Sequence, residues 1–235
     1  MAILGHGSIN LKTGIGFIKE MDSILTWSQD VANYDSKTAP MAVVNADINS
    51  KISLWNGDIT TLRVDAIQNA ANTGLGGGKG IDGAIHDAAG SISLLAETRK
   101  LGGCPTGQTK LSKGYGLPSK HILHSVGPDC RVTSVSAETR AEQLKSSYIT
   151  ALELAKEHGF KTIALCGISL GIYRCPKGDY VSRACQAVRM WMEHEDNWKK
   201  VDRVIFAVYH PDKADNDALM SLYQPSLTAY FPKSP

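Results

Sequence analysis

The chain has 235 residues, enough for one domain with a substantial core and an extension. A formal net charge of +2 gives it no bulk attraction for nucleic acid or for a membrane surface. The cysteines, Cys104, Cys130, Cys166, Cys175 and Cys185, are odd in number and form no C-x-x-C pair, which argues against zinc and for reduced thiols in an intracellular protein.

In chain order, residues 1–49 read as an extension and residues 50–235 as the main domain. The spacing of apolar residues predicts a helix over Ile18–Val31 that packs on the domain, and Tyr34–Pro40 reads as a linker. No window has the length of a membrane-spanning helix, and the start lacks a signal-peptide layout. The first arginine is Arg63, so an arginine-rich mitochondrial leader is absent, although Lys12 and Lys19 leave that compartment open. Cytoplasm or nucleus is the expected location.

From Lys51 the pattern predicts alternating elements: strands at Lys51–Leu54 and Val64–Gln68, then helices at Asp82–Ala89 and Ser91–Leu101. Strands at Thr109–Lys113 and His121–Val126 precede a long helix from Ala137 to His158. A strand at Thr162–Cys166, a helix at Tyr180–Asn197, a strand at Arg203–Val208 and a helix near Asp215–Tyr223 complete the series. Such alternation implies an α/β protein, a three-layer α/β/α sandwich around a mixed, mostly parallel sheet. No internal repeat or low-complexity tract interrupts it.

The richest segment is Gln68 to Gly90, QNAANTGLGGGKGIDGAIHDAAG. A strand is followed by Asn69 and Asn72, placed where amides can leave the sheet edge, and then by Gly74, Gly76, Gly77, Gly78 and Gly80. Without side chains, consecutive backbone N–H groups can curl around an anion, and the helix N-terminus just beyond adds partial positive charge. A diphosphate is the expected ligand. The P-loop pattern fails, because Thr73 stands at its first glycine and Gly80 at its magnesium-binding hydroxyl. A Rossmann pattern is formally met by Gly78, Gly80 and Gly83, but a loop separates it from the strand and a helix, not a second strand, follows.

The run NAAN, a glycine loop and I-D-G-A-I-H-x-A-A-G resembles the signature of MacroD-type macrodomains, which bind ADP-ribose and include ADP-ribosyl hydrolases. Further blocks agree in order: Gly57-Asp58-Ile59-Thr60, Leu101–Gly107, Gly114–Pro118, His124-Ser125-Val126-Gly127-Pro128 and Ile168–Tyr173. The resemblance spans about Lys51 to Tyr209. It implies an ADP-ribose site built from Asp58, Ile59, Asn69, Gly77, Gly78, Lys79, Gly80, Ile81, Ser169, Leu170, Gly171, Ile172, Tyr173 and Tyr209, with Asp58 on the adenine amino group and Tyr209 stacked on the ring.

Asp82 and His86 are i and i+4 on one helix and share a face, so each can orient the other. The resemblance assigns catalysis to these two with Asn72: Asn72 fixes the distal ribose, Asp82 positions or activates the nucleophile, and His86 tunes Asp82. Asp82 could instead be an N-cap and Asn72 a turn cap. His121-x-x-His124 is not a metal pair, since a strand sends those side chains to opposite faces. Neither a metal nor a cofactor is expected.

The implied activity is hydrolysis of mono-ADP-ribose from Asp or Glu of modified proteins, with deacetylation of O-acetyl-ADP-ribose. The alternative is a non-catalytic ADP-ribose reader. Expected partners are mono-ADP-ribosylated proteins, ADP-ribose and O-acetyl-ADP-ribose, with no direct nucleic-acid or membrane binding, and the expected state is a monomer. The chain departs from the family pattern at Leu170, where a threonine is usual, at Arg174, where glycine is usual, and at Lys79 within the glycine run. Arg174 could supply a charged donor if it turns inward.

Overall fold

A computed structural model of the chain describes residues 9–10, 15–32 and 37–234. Two short strands, β1 (Ile9–Asn10) and β2 (Ile15–Phe17), pair with each other, and β3 (Lys19–Glu20) precedes a turn-rich stretch and a short helix α1 (Ala46–Ser50) capped by Asn45. Then follow β4 (Ile52–Asn56), β5 (Leu62–Arg63), β6 (Ala66–Ala71), α2 (Ile81–Ala89) and α3 (Ser91–Thr98). The remainder is β7 (Thr109–Lys113), β8 (His121–Val126), α4 (Ala137–Glu157), β9 (Thr162–Leu165), α5 (Lys177–Glu193), β10 (Arg203–Val208) and α6 (Lys213–Tyr230).

The central sheet has the order β4-β10-β9-β6-β8-β7, parallel throughout except for β7, which runs antiparallel to β8. Crossover connections of this kind require helices over the sheet. Here α4, α5 and α6 pack side by side, and α2 packs on α3 and on β6. The expected mixed, mostly parallel α/β/α sandwich is the observed architecture. The inner strands are near-continuous apolar runs, as burial on both faces demands, with Ile163, Ala164, Val204, Ile205 and Ile67 fully buried.

Residues 18–31 do not form the expected helix. Lys19–Glu20 instead pairs with Leu62–Arg63, a 3-10 turn covers Met21–Ser23, and Thr26 closes a turn with Gln29 and Asp30. Two of the apolar residues that suggested a helical stripe, Leu25 and Val31, are 58% and 81% exposed, whereas Ile24 and Trp27 enter the core. Tertiary pairing therefore decides this segment over local propensity. The Trp27 indole donates to the Phe231 carbonyl at 2.8 Å, and its backbone N–H donates to Ile52. Part of the expected linker, residues 34–36, lies outside the described residues; residues 37–40 are irregular.

A second correction concerns β6. The strand was expected to end at Gln68, but it extends to Ala71, so Asn69 lies within the sheet, opposite His124 of β8. The closing helix also runs past its expected end at Tyr223, with Pro225 inside it. Buried Leu227, Tyr230 and Phe231 anchor the continuation.

Candidate active site

The carboxyl ends of β6, β8 and β9 surround a cavity of about 260 Å³ lined by residues 70–72, 78–82, 127, 167, 169 and 171–173. This is where an open α/β sheet holds its ligand. One wall is the glycine loop between β6 and α2. Asn72 organises it: its Nδ2 donates to the Gly77 carbonyl at 2.7 Å, and its Oδ1 accepts from Gly74 and Gly76 N–H at 3.1 and 3.4 Å. Gly83 permits the loop to lie against the helix, since a Cβ there would sit 2.5 Å from the Gly78 oxygen. Gly80 and Ile81 bring the N-terminus of α2 to the cavity edge, where its free N–H groups favour an anion.

The opposite wall is the loop leaving β9. Its base is held by Tyr148, whose hydroxyl donates to the Cys166 carbonyl at 2.8 Å and accepts from Ile168 N–H at 3.1 Å. Ser169 sits at φ +65° with a buried Oγ that has no protein partner among the described residues. The loop is tied to the segment after β8 by a Cys130–Cys175 disulfide, Cα to Cα 5.1 Å, while Cys104, Cys166 and Cys185 are free and buried. Expecting reduced thiols throughout was therefore wrong for this pair. Cysteine count carries no information about two residues 45 apart that β8 and β9 deliver to the same sheet edge, and the argument from thiols to an intracellular location loses that support.

Asp82 is buried in the first turn of α2 and lines the cavity. It is not the N-cap, a position held by Gly80; its side chain turns inward instead. Oδ1 accepts from Asn69 Nδ2 at 2.8 Å, and Oδ2 accepts from Asn72 Nδ2 at 3.2 Å. His86 Nε2 lies 3.5 Å from Oδ1, with neither ring nitrogen hydrogen-bonded to a described residue. Burial pushes the Asp82 carboxyl above the usual carboxylate range, against the opposing pull of Asn69, His86 and Asn72. Burial likewise pushes the His86 imidazole below its ordinary value, with Asp82 and Asp87 opposing. Both shifts disfavour a charged pair, so a neutral imidazole stands behind a carboxylate that protonates unusually readily.

Of the residues anticipated from sequence, Asn72, Gly78, Lys79, Gly80, Ile81, Asp82, Ser169, Gly171, Ile172 and Tyr173 line this one cavity. Others are placed apart from it. Asn69 is fully buried beneath Asp82, His86 is buried behind it, and Leu170 packs on the hydrophobic core against Gly167. Gly77, at φ +75°, packs on the His86 ring. Asp58 caps the 3-10 turn at Ile59–Thr61 through Thr60 N–H, and Ile59 is buried in the core. Tyr209 is exposed beyond β10; Asp58 and Tyr209 follow adjacent strands joined by a Gly57 N–H to Val208 carbonyl bond. Arg174 is exposed, at φ +54°, and does not line the cavity. A different arginine approaches it: Arg131 lies over the Tyr173 ring at 5.4 Å and is paired with Asp129.

Sequence reasoning assigned no role to Gly127, although it stands in the quoted His124–Pro128 block. A Cβ there would meet Ile168 and Ser169 at 2.2 and 2.3 Å, so only glycine lets the segment after β8 lie against the loop leaving β9. It also missed His124 as a partner of the site, because an overly short β6 hid the pairing with Asn69.

Fold and cavity together define a class: α/β/α domains with a glycine-lined anion cradle at the carboxyl edge of a mostly parallel sheet. Within that class the match is specific. The family model described as Macro domain matches residues 68–184. The chain is 39% identical over 218 residues to ADP-ribose glycohydrolase MACROD1 of Rattus norvegicus, covering 92% of this chain and 80% of the relative. It is 39% identical over 216 residues to ADP-ribose glycohydrolase MACROD2 of Xenopus laevis, covering 92% of this chain but 49% of that relative, about half its length. A Trypanosoma brucei macrodomain solved in complex with ADP-ribose superposes with a TM-score of 0.66 at 33% identity, over 80% of this chain and 73% of that one. The chain belongs to the Macro domain family, in its MacroD-type branch.

Proposed function

We propose that this chain binds ADP-ribose and hydrolyses mono-ADP-ribose esters on Asp and Glu side chains of modified proteins, and that it deacetylates O-acetyl-ADP-ribose. The observation that carries the reading is Asp82, a cavity-facing carboxylate held by two amide donors beside the glycine cradle. Relatives named ADP-ribose glycohydrolase and a macrodomain complex with ADP-ribose support the same ligand.

In this reading the diphosphate lies between the loop N–H groups of residues 77–81 and the loop of residues 169–173, with Lys79 offering charge from the first wall. Asp58 and Tyr209 receive the adenine beyond β4 and β10. The distal ribose then lies near Asn72 and Asp82. Asp82 accepts a proton from water as the water attacks the ester, yielding ADP-ribose and the free carboxyl of the protein; a carboxylate made more basic by burial suits that role. His86 maintains the Asp82 rotamer from behind. No metal or cofactor is invoked, and one copy of the chain supplies every lining residue.

A second reading, binding without turnover, is favoured by Leu170. It replaces the family threonine and packs into the core, so that position offers the cavity no hydroxyl. The deciding experiment follows ADP-ribose release from a protein mono-ADP-ribosylated on glutamate, with calorimetric binding of free ADP-ribose alongside. Release by the wild type and not by Asp82→Ala is the expected result. Binding without release identifies a reader, and absence of binding overturns both readings.

A further inference from the structure

We propose that His124 is a positioning residue for Asp82: a buried acceptor that holds the Asn69 amide with its NH2 end toward the carboxylate. The proposal rests on the hydrolase reading in so far as Asp82 is the group that reacts.

The geometry is a line of buried polar side chains across three strands. The parallel register sets Asn69 of β6 opposite His124 of β8. Asn69 Nδ2 lies 2.8 Å from Asp82 Oδ1 and 3.1 Å from His124 Nδ1, and His124 Nε2 lies 2.7 Å from Ser112 Oγ on β7. Asn69, His124 and Ser112 are all buried, so each group has to find its partner within the protein.

One proton arrangement satisfies the line. The ionised carboxylate accepts only, so the near end of the amide is NH2. Its second hydrogen then points at Nδ1, which must carry a lone pair. The imidazole proton is on Nε2 and is donated to Ser112 Oγ, which passes its own hydrogen to the Lys113 carbonyl at 3.3 Å. Flipping the amide would set Oδ1 against both the carboxylate and the Nδ1 lone pair. The amide is evidently held for its NH2 end, since Asn69 Oδ1 is buried with no hydrogen-bond partner among the described residues.

The acceptor is durable. Burial, with the neighbouring His86, pushes the His124 pKa down to about 3, so the ring keeps its lone pair across the working range of pH. The titratable groups facing Asp82 are His86 on its own helix, Cys166 after β9 and Tyr173 on the far loop; His124 reaches it through Asn69.

Two substitutions separate positioning from packing. The amide oxygen of His124→Asn falls where Nδ1 was, whereas His124→Gln reaches the place of Nε2 and leaves nothing at Nδ1. The measurement is the Asp82 carboxyl titration by 13C NMR, with the pH dependence of kcat, KM and ADP-ribose affinity beside it. His124→Gln is expected to raise the Asp82 midpoint by about one pH unit, a tenfold change in its ionisation constant. The acid limb of kcat should move with it, at unchanged KM and ADP-ribose affinity, and His124→Asn should restore wild-type behaviour. Equal midpoints in wild type and His124→Gln, or equal shifts in both variants, overturn the proposal. A wild type that releases no ADP-ribose defeats the hydrolase reading while the NMR titration still decides this one. If His124→Gln does not fold, the 15N spectrum of the wild-type ring decides: a proton on Nε2 supports the lock, and a proton on Nδ1 refutes it.

Discussion

Two aspartates bracket β6, and they are put to opposite uses. At its amino end Asp65 takes a hydrogen bond from Lys120 Nζ at 2.9 Å, from the N–H groups of Lys161 and Thr162 at 2.9 and 3.1 Å, and from Thr162 Oγ1 at 3.1 Å. Burial opposes these donors but loses to them, and the carboxyl is held below its ordinary range. At the carboxyl end Asp82 has two amide donors and a neutral histidine, burial wins, and its pKa is raised. The lesson is that the amino edge of the sheet saturates its carboxylate to tie β6, β8 and β9 together, whereas the carboxyl edge leaves one wanting a proton.

The sharpest way to break that comparison is Asp82→Asn. Release of ADP-ribose from a glutamate-linked substrate should fall roughly 10²- to 10⁴-fold, the usual worth of a general base. Because the folded-state pKa is raised, the ionised carboxylate costs stability at neutral pH and the cost is relieved as pH falls through that pKa. The thermal midpoint of Asp82→Asn at pH 7 should therefore equal or exceed that of the wild type. A variant that loses activity by losing stability would erase the distinction between the two ends.

Next in size is the covalent tie beside the site. The Cys130–Cys175 bridge closes a loop of 45-residue separation, for which chain entropy gives about 4 kcal/mol. The paired Cys130→Ser and Cys175→Ser variant should unfold at a correspondingly lower denaturant midpoint, read by urea titration. The hydrogen bonds that hold Asp82 do not pass through either cysteine, so residual turnover should keep its pH profile.

The smallest effect mirrors the first. Asp65→Asn should cost about 1.5–3 kcal/mol, the scale of hydrogen bonds to a charged group, with turnover unchanged. Since the folded pKa is depressed, this stabilisation is present above the unfolded value and is lost as pH falls through the folded one. Urea midpoints of wild type and variant should accordingly converge as pH falls through that depressed folded pKa.

Much of this was legible in the chain. Thr109–Lys113, His121–Val126 and Arg203–Val208 are strands at their expected limits, because glycine, proline or charged turn residues bound each of them. The i, i+4 placement of Asp82 and His86 and the two cavity-lining loops followed from helical geometry and small-residue runs. What escaped depends on three-dimensional pairing. The true end of β6, and with it Asn69 beneath rather than beside the ligand space, is set by hydrogen bonds to β8 that no local pattern encodes. The inward turn of Leu170 and the meeting of Cys130 with Cys175 likewise depend on where two distant loops converge.

The contacts of the first fifty residues bear on how this protein can be cut. Trp27 is fully enclosed and donates to Phe231, Asn49 Nδ2 donates to the Pro232 carbonyl at 2.9 Å, and Met41 N–H donates to Ala229. The segment before β4 and the end of α6 thus form a clasp in which each side supplies what the other lacks. A fragment beginning at Lys51 would leave an indole-shaped void and carbonyls without donors at the far end of the chain. Expression boundaries, affinity tags and circular permutants should respect that clasp, even though it lies outside the matched family segment.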